Sequence, residues 1–173
     1  NSVPGVGIQG DVGEIVGKEM LNLFPCGIVN FHPGDLPNYR GCSAPEWQIY
    51  ENNPVICTAH YLDEGIDTGD IIAVKRFPVF QSDDISSLLS RTYDFQLILY
   101  YEVLERIIKN EPLPSSNERW TREPFSRKQL DNLSIIEPYM QKEEIKRRIR
   151  ATSYQEFQPT VEIAGHIFEL KTT

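Results

Sequence analysis

Three side chains in this sequence have the types and spacing to do chemistry together: the amide of Asn30, the imidazole of His32 and the carboxylate of Asp67. Cys26-Gly27-Ile28-Val29-Asn30-Phe31-His32-Pro33 reads as a short apolar strand running into a loop. Strand side chains alternate between faces, so Asn30 and His32 share one face while Val29 and Phe31 pack the other way. Asp67 follows in Asp63-Glu64-Gly65-Ile66-Asp67-Thr68-Gly69-Asp70, a loop between two further apolar segments. An amide can hold a developing oxyanion, an imidazole can move a proton, and a carboxylate can orient the imidazole.

Competing centres are weaker. Cys26, Cys42 and Cys57 are odd in number and lack CxxC spacing, which suggests neither a disulfide framework nor a zinc site. Cys42 stands ten residues after His32, yet nothing local marks it as an activated thiol. Gly5-Val6-Gly7-Ile8-Gln9-Gly10 fits the letters of a dinucleotide turn. No strand precedes it and the next strand ends in Asn30-Phe31-His32, so Val6 to Ile8 is read as a short strand instead. His60 alternates with Ile56, Thr58 and Leu62 and is read as a satisfied structural residue.

The elements that must position the trio follow from periodicity. The spacing predicts a helix over 12–23 capped by Asp11, with Ile15, Val16, Met20, Leu21 and Leu23 as its apolar face, then a strand over 26–31. A loop with two prolines and two glycines, His32 to Gly41, is shaped rather than floppy. Ser43-Ala44-Pro45-Glu46 reads as a capping box opening a helix to about Asn52. Strands are expected over Val55–Leu62 and Ile71–Val79, and a long helix from Asp83 or Asp84 to about Lys109. In that helix Leu97, Ile98, Tyr100 and Tyr101 widen the apolar stripe; core packing explains them, and a homodimer interface is the other option. Pro112, Pro114, Ser115 and Ser116 mark a connector, a basic helix spans Glu143–Arg150, and Thr160–Lys171 alternates about Ala164-Gly165 as a hairpin would. This divides the chain into parts 1–111 and 112–173.

The net charge of −8 is uneven: residues 1–111 carry 7 basic and 16 acidic side chains, residues 112–173 carry 10 and 9. An acidic first part argues against nucleic acid as a partner, and no apolar run approaches a membrane span. Asn1-Ser2-Val3-Pro4 lacks a leader pattern. The expectation is a cytoplasmic protein.

On these residues the chain resembles the folate-dependent formyltransferase family. Asn30-Phe31-His32, Leu36-Pro37, Arg40-Gly41 and Asp67-Thr68-Gly69 follow one another in the family's order and spacing. The resemblance covers roughly residues 6 to 80 and extends more weakly through the long helix. It implies an α/β fold, an incomplete Rossmann-like core whose mostly parallel sheet lacks the family's first strands and helices, followed by a small C-terminal helix and hairpin. It implies catalytic roles for Asn30, His32 and Asp67, with N10-formyltetrahydrofolate as co-substrate and no metal. The folate would lie against Asp63, Glu64, Gly65 and Ile66, with Leu36 nearby. Gly34-Asp35-Leu36-Pro37 departs from the family's frequent Ser-Leu-Leu-Pro at this loop.

Thr121-Arg122, the helix ending Arg148-Ile149-Arg150-Ala151-Thr152 and the closing hairpin resemble the tail of enzymes that formylate 4-amino sugars carried on nucleotides. That resemblance implies a nucleotide-linked amino sugar as partner, with Arg40, Arg122, Arg148, Arg150 and Tyr154 as candidate acceptor-binding residues. The alternatives are a methionyl-tRNA formyltransferase, a deformylase that uses water in place of the amine, and a truncated, inactive form.

Overall fold

The structure, a computed structural model, describes residues 5–9, 16–36, 38–116, 118 and 121–171. Its first sheet begins with β1 (Gly7–Gln9), which pairs in parallel with β2 (Ile28–His32) across the short helix α1 (Lys18–Asn22). β2 then pairs antiparallel with β3 (Val55–Tyr61), and β3 antiparallel with β4 (Ile71–Phe77), giving the order β1-β2-β3-β4. The sheet is therefore mixed, not mostly parallel as expected. For β3 and β4 the reason is loop length: 62–70 joins them directly, whereas a parallel return needs a crossover of about a dozen residues or more.

Among the described residues, the predicted helix over 12–23 includes α1, which carries no buried residue; Met20 is 50% and Leu23 69% exposed. Asp11 and Ile15 lie outside the described residues. α2 (Ala44–Tyr50) forms where the capping pattern placed it, but the box itself does not close. Ser43 sits at φ 62°, ψ 42°, a left-handed conformation in place of the extended one a side-chain cap requires, and its hydroxyl lies 3.4 Å from the Cys42 thiol instead.

The long helix α3 (Ile85–Ile108) starts from a true capping box. The Asp84 carboxylate accepts from the Ser87 N–H at 2.8 Å, and the Ser87 hydroxyl accepts from the Asp84 N–H at 3.1 Å. One stripe of α3 packs on the sheet, where Val29, Phe31, Cys57, Ala59 and Ile72 meet Leu99 and Val103. Its first turns enter a second core with Ile49, Val55 and Phe77. Tyr93, Leu97, Ile98 and Tyr101, on the widened side, are exposed in this chain.

The C-terminal part folds as α4 (Arg127–Leu133), β5 (Ile135–Ile136), α5 (Lys142–Thr152) and the hairpin β6 (Thr160–Ile163) and β7 (His166–Glu169). Its Leu130, Leu133 and Ala151 share the second core with α2 and α3. α4 went unread in the sequence although Ser126-Arg127-Lys128-Gln129 is a capping box, and here it closes: the Gln129 side chain accepts from the Ser126 N–H at 2.7 Å. No helix among the described residues is long and apolar enough to cross a membrane.

Candidate functional site

Antiparallel pairing sets His60 directly opposite Asn30 and Thr58 opposite His32. Val29 and Phe31 enter the core against α3, leaving Asn30 and His32 on the opposite face of β2, as alternation required. The turn after β3 brings Asp67 beneath them at φ 51°, a left-handed conformation that aspartate tolerates better than most residues. Its Oδ2 accepts the Gly41 N–H at 2.8 Å and lies 3.7 Å from His32 Nδ1, while Oδ1 lies 3.7 Å from His60 Nε2. Those 3.7 Å separations are ion-pair distances, longer than a hydrogen bond.

His32 Nε2 stands 3.0 Å from the carbonyl oxygen of Tyr39. A carbonyl only accepts, so the proton of the neutral ring is on Nε2 and Nδ1, on the Asp67 side, keeps its lone pair. Gly34 makes this contact sterically possible: a Cβ there would stand 2.7 Å from His32 Nε2, 2.7 Å from the Tyr39 oxygen and 2.5 Å from Ala44 Cβ. The loop is pinned by Thr58, whose hydroxyl donates to the Gly34 carbonyl at 2.7 Å, and by Gln48, whose Oε1 accepts the Asp35 N–H at 2.9 Å. Burial and a 2.5 Å hydrogen bond to Glu51 push the Tyr39 phenol up to about 12, so it is a fixed donor at any ordinary pH.

Asn30, His32 and Asp67 open onto a cavity of about 600 Å³, within the range of small-molecule sites. One wall is Leu62, Asp63, Gly65 and Ile66. The Asp63 carboxylate orders that wall by accepting from the Gly65 N–H at 2.9 Å and the Thr68 hydroxyl at 2.5 Å. Opposite are Gly41 to Glu46, Leu89 and Tyr93 of α3, and Phe125, Ser126 and Arg127. The connector reaches the site through a backbone splice: Phe125 N–H donates to the Arg40 carbonyl and Cys42 N–H to the Phe125 carbonyl, both at 2.9 Å. Gly41 has φ 84°, and a Cβ on it would stand 2.6 Å from the Phe125 oxygen. Glu46 lines this end with its carboxyl raised by burial, against the opposing effects of its own backbone N–H, Arg127 and Ser43.

The structure thus brings Asn30, His32, Asp67, Asp63, Gly65 and Ile66 to one cavity. Other expected site residues lie elsewhere. Leu36 is fully buried and does not line the cavity; Glu64 points away and pairs with Lys18 at 3.2 Å. Arg40 Nε donates to the Arg122 carbonyl at 3.1 Å, and Arg122 Nη1 binds the Glu51 carboxylate at 3.1 Å. Arg148 bonds Glu144 and the carbonyls of Asn132, Leu133 and Ile135, capping the end of α4. Arg150 bonds the carbonyls of Asp83 and Phe80 and the Asn52 side chain. Tyr154 packs against the second core. None of these five lines the cavity; for Arg148 and Arg150, on α5, the sequence of a basic helix gives no sign of which arginines its own fold will consume. Among the described residues, Arg127 is the arginine that does line it, stacked over Phe157 and paired with Asp131 at 2.9 Å. The capping box at Ser126 was the signal that could have drawn attention to it. Of the three cysteines, Cys42 lines the cavity and Cys57 is buried, its thiol pushed up to about 12 by that burial.

A strand-end Asn/His pair faced by an aspartate, on a mixed sheet covered by a long helix, defines a class that comparison with known proteins identifies. Residues 6–104 match the model of the formyl transferase family, and the chain belongs to that family. Methionyl-tRNA formyltransferase of Thermus thermophilus is 33% identical over 129 residues, covering 74% of this chain and 42% of that protein. The chain therefore spans about two fifths of the length of that curated relative. The crystal structure of a 4-N formyltransferase from Francisella tularensis superposes with TM-score 0.84 at 20% identity, covering 96% of this chain and 69% of that one, a likeness of fold. The N-formyltransferase from Helicobacter canadensis, solved in complex with folinic acid and dTDP-3-aminofucose, superposes with TM-score 0.68 at 28% identity over 88% of this chain and 56% of that one.

Proposed function

We propose that this chain transfers a formyl group from N10-formyltetrahydrofolate to the primary amine of a nucleotide-linked amino sugar. The observation that carries the reading is the meeting of Asn30, His32 and Asp67 at the wall of one cavity. The folate fits the wall built from Leu62, Asp63, Gly65 and Ile66, where an ordered loop flanks apolar side chains suited to a flat heterocycle. When bound it supplies an activated formyl carbon, and the chain's own residues supply the rest.

Asn30 offers an amide N–H to the formyl oxygen as it takes up negative charge. The incoming amine must be neutral, and it loses a proton as its new C–N bond forms. His32 Nδ1, left with its lone pair by the Nε2–H bond to Tyr39, takes that proton and returns it to the departing nitrogen as the old C–N bond breaks. Asp67 faces Nδ1 at 3.7 Å and stabilises the imidazolium while it exists. The Gly41 N–H holds the carboxylate in place. At the far end, Glu46 and Arg127 provide polar contacts for the acceptor, the role that sequence had given to Arg122, Arg148 and Arg150.

The amino-sugar reading is supported by the C-terminal part: the likeness to the Francisella structure runs through 96% of this chain. Methionyl-tRNA is the second reading, favoured by the identity to the Thermus relative. Incubating the protein with the formyl donor and either a panel of nucleotide-linked 3- and 4-amino sugars or methionyl-tRNA separates them. Formamide formation on a sugar is expected; formylation of methionyl-tRNA alone refutes the sugar assignment, and free formate without any acceptor points to a deformylase.

A further inference from the structure

His60 is a wholly enclosed imidazole on β3, with no solvent exposure, and the mechanism above does not use it. Its Nδ1 lies 2.8 Å from the carbonyl oxygen of Tyr61. That oxygen can only accept, so Nδ1 bears the proton and the Nε2 of the neutral ring is a bare lone pair. Nε2 in turn stands 3.1 Å from Asn30 Nδ2. One N–H of the Asn30 amide must therefore donate to His60, which fixes the nitrogen of the amide on this side and denies the flipped orientation. Antiparallel register holds the two residues directly opposite each other, so the arrangement is set by the backbone.

We propose that His60 is a positioning residue for formyl transfer, holding the Asn30 amide so that its second N–H is aimed into the cavity at the oxyanion. The inference rests on the formyl-transfer reading. Asn30 and His32 from β2, Asp63 and Asp67 from the loop after β3, and the Tyr61 carbonyl from β3 itself surround His60. Burial, and then repulsion from His32, hold its protonation down to about 4 against the attraction of Asp67. A proton on Nε2 would set a donor against the Asn30 donor and turn the amide round. It would also place a second cation 3.7 Å from Asp67 Oδ1, in competition with His32. With His60 neutral, His32 is the imidazole left to shuttle the proton.

The test compares His60→Phe, which removes the acceptor at similar volume, with His60→Gln, whose amide oxygen can replace it. Loss of an oxyanion donor costs about 10²- to 10³-fold in kcat. His60→Phe is expected to lower kcat by about 100-fold with the KM for the folate changed by less than about threefold, and His60→Gln to recover about tenfold of that loss. Thermal midpoints establish that both variants fold. On the unaltered protein, long-range nitrogen–proton NMR correlations are expected to show the His60 proton on Nδ1, a readout that needs no variant. His60→Phe with kcat within about threefold of the unaltered protein, a folded His60→Gln no better than folded His60→Phe, or a proton on Nε2 overturns the proposal. An unaltered protein silent toward every acceptor overturns the formyl-transfer reading and the catalytic part of this proposal with it, while the tautomer still decides the geometry.

Discussion

Arg148 and His32 are both largely enclosed polar side chains, and the fold holds them in opposite ways. Arg148 spends its Nε–H on Glu144 at 2.7 Å and its Nη1 on three carbonyls within 3.2 Å, all in the C-terminal part. Arg150 does the same across elements, tying α5 to the carbonyls of Phe80 and Asp83 before α3. His32 commits one nitrogen to Tyr39 and leaves the other at ion-pair distance from Asp67, on a cavity wall. A polar side chain whose hydrogen-bonding capacity is spent within the fold braces structure; one with a nitrogen in reserve beside a cavity can meet a ligand.

Exchanging the two kinds of loss has the largest expected effects. His32→Asn or Asp67→Asn removes proton transfer or its orientation. Each is expected to lower kcat for formyl transfer by about 10²- to 10⁴-fold while the thermal midpoint stays near that of the unaltered protein. A large fall in the midpoint would move the trio to the bracing side.

The next effect is a pH dependence of stability. His60 is held at about 4 in the folded chain, against roughly 6.5 when unfolded. Between those values the unfolded chain binds more protons, so stability falls as pH drops from about 6.5 toward 4, by about 3 kcal/mol in all, and is untouched above 6.5. Urea melts of the unaltered protein and His60→Phe at pH 7 and pH 4.5 are expected to show this loss in the former and its absence in the latter. Equal losses would mean that other groups carry the acid sensitivity.

Arg148→Ala is the mirror of the catalytic variants. It removes the hydrogen bonds to three carbonyls and one of the donors to the Glu144 carboxylate, which keeps Tyr50 and Arg147, and is expected to destabilise the chain by about 2 kcal/mol, leaving kcat of the folded fraction unchanged. A change in kcat without a change in melting would return Arg148 to the acceptor site where its sequence context had suggested it. The smallest effect belongs to Arg127→Ala. At an exposed position already paired with Asp131, it is expected to raise the acceptor KM by about threefold to tenfold with kcat held; an unchanged KM would remove it from acceptor binding.

What could be read from sequence was what depends on local pattern. Alternation at Asn30-Phe31-His32 gave the face of β2 correctly, and the aspartate cap and apolar spacing of α3 gave that helix to within a residue or two. Strand polarity escaped, because it depends on where a connection returns the chain and not on the strand's own residues. The consumption of the arginines escaped for the same reason: Arg150 is spent on Phe80 and Asp83, about 70 residues earlier. So did the approach of Phe125 to Gly41, a backbone contact with no side-chain signature. His60 was correctly read as satisfied, yet its partner, Asn30, is set by a register no single strand reveals.

Whether Asn30, His32 and Asp67 act as one formyl-transfer centre is open to a direct test. The most direct measurement is the steady-state rate of formyl transfer by His32→Asn to the best nucleotide-linked amino sugar, beside the unaltered protein at matched folded concentration. A loss of at least about 100-fold with an unchanged melting profile is expected. Formyl transfer by the folded variant at the unaltered rate would contradict it.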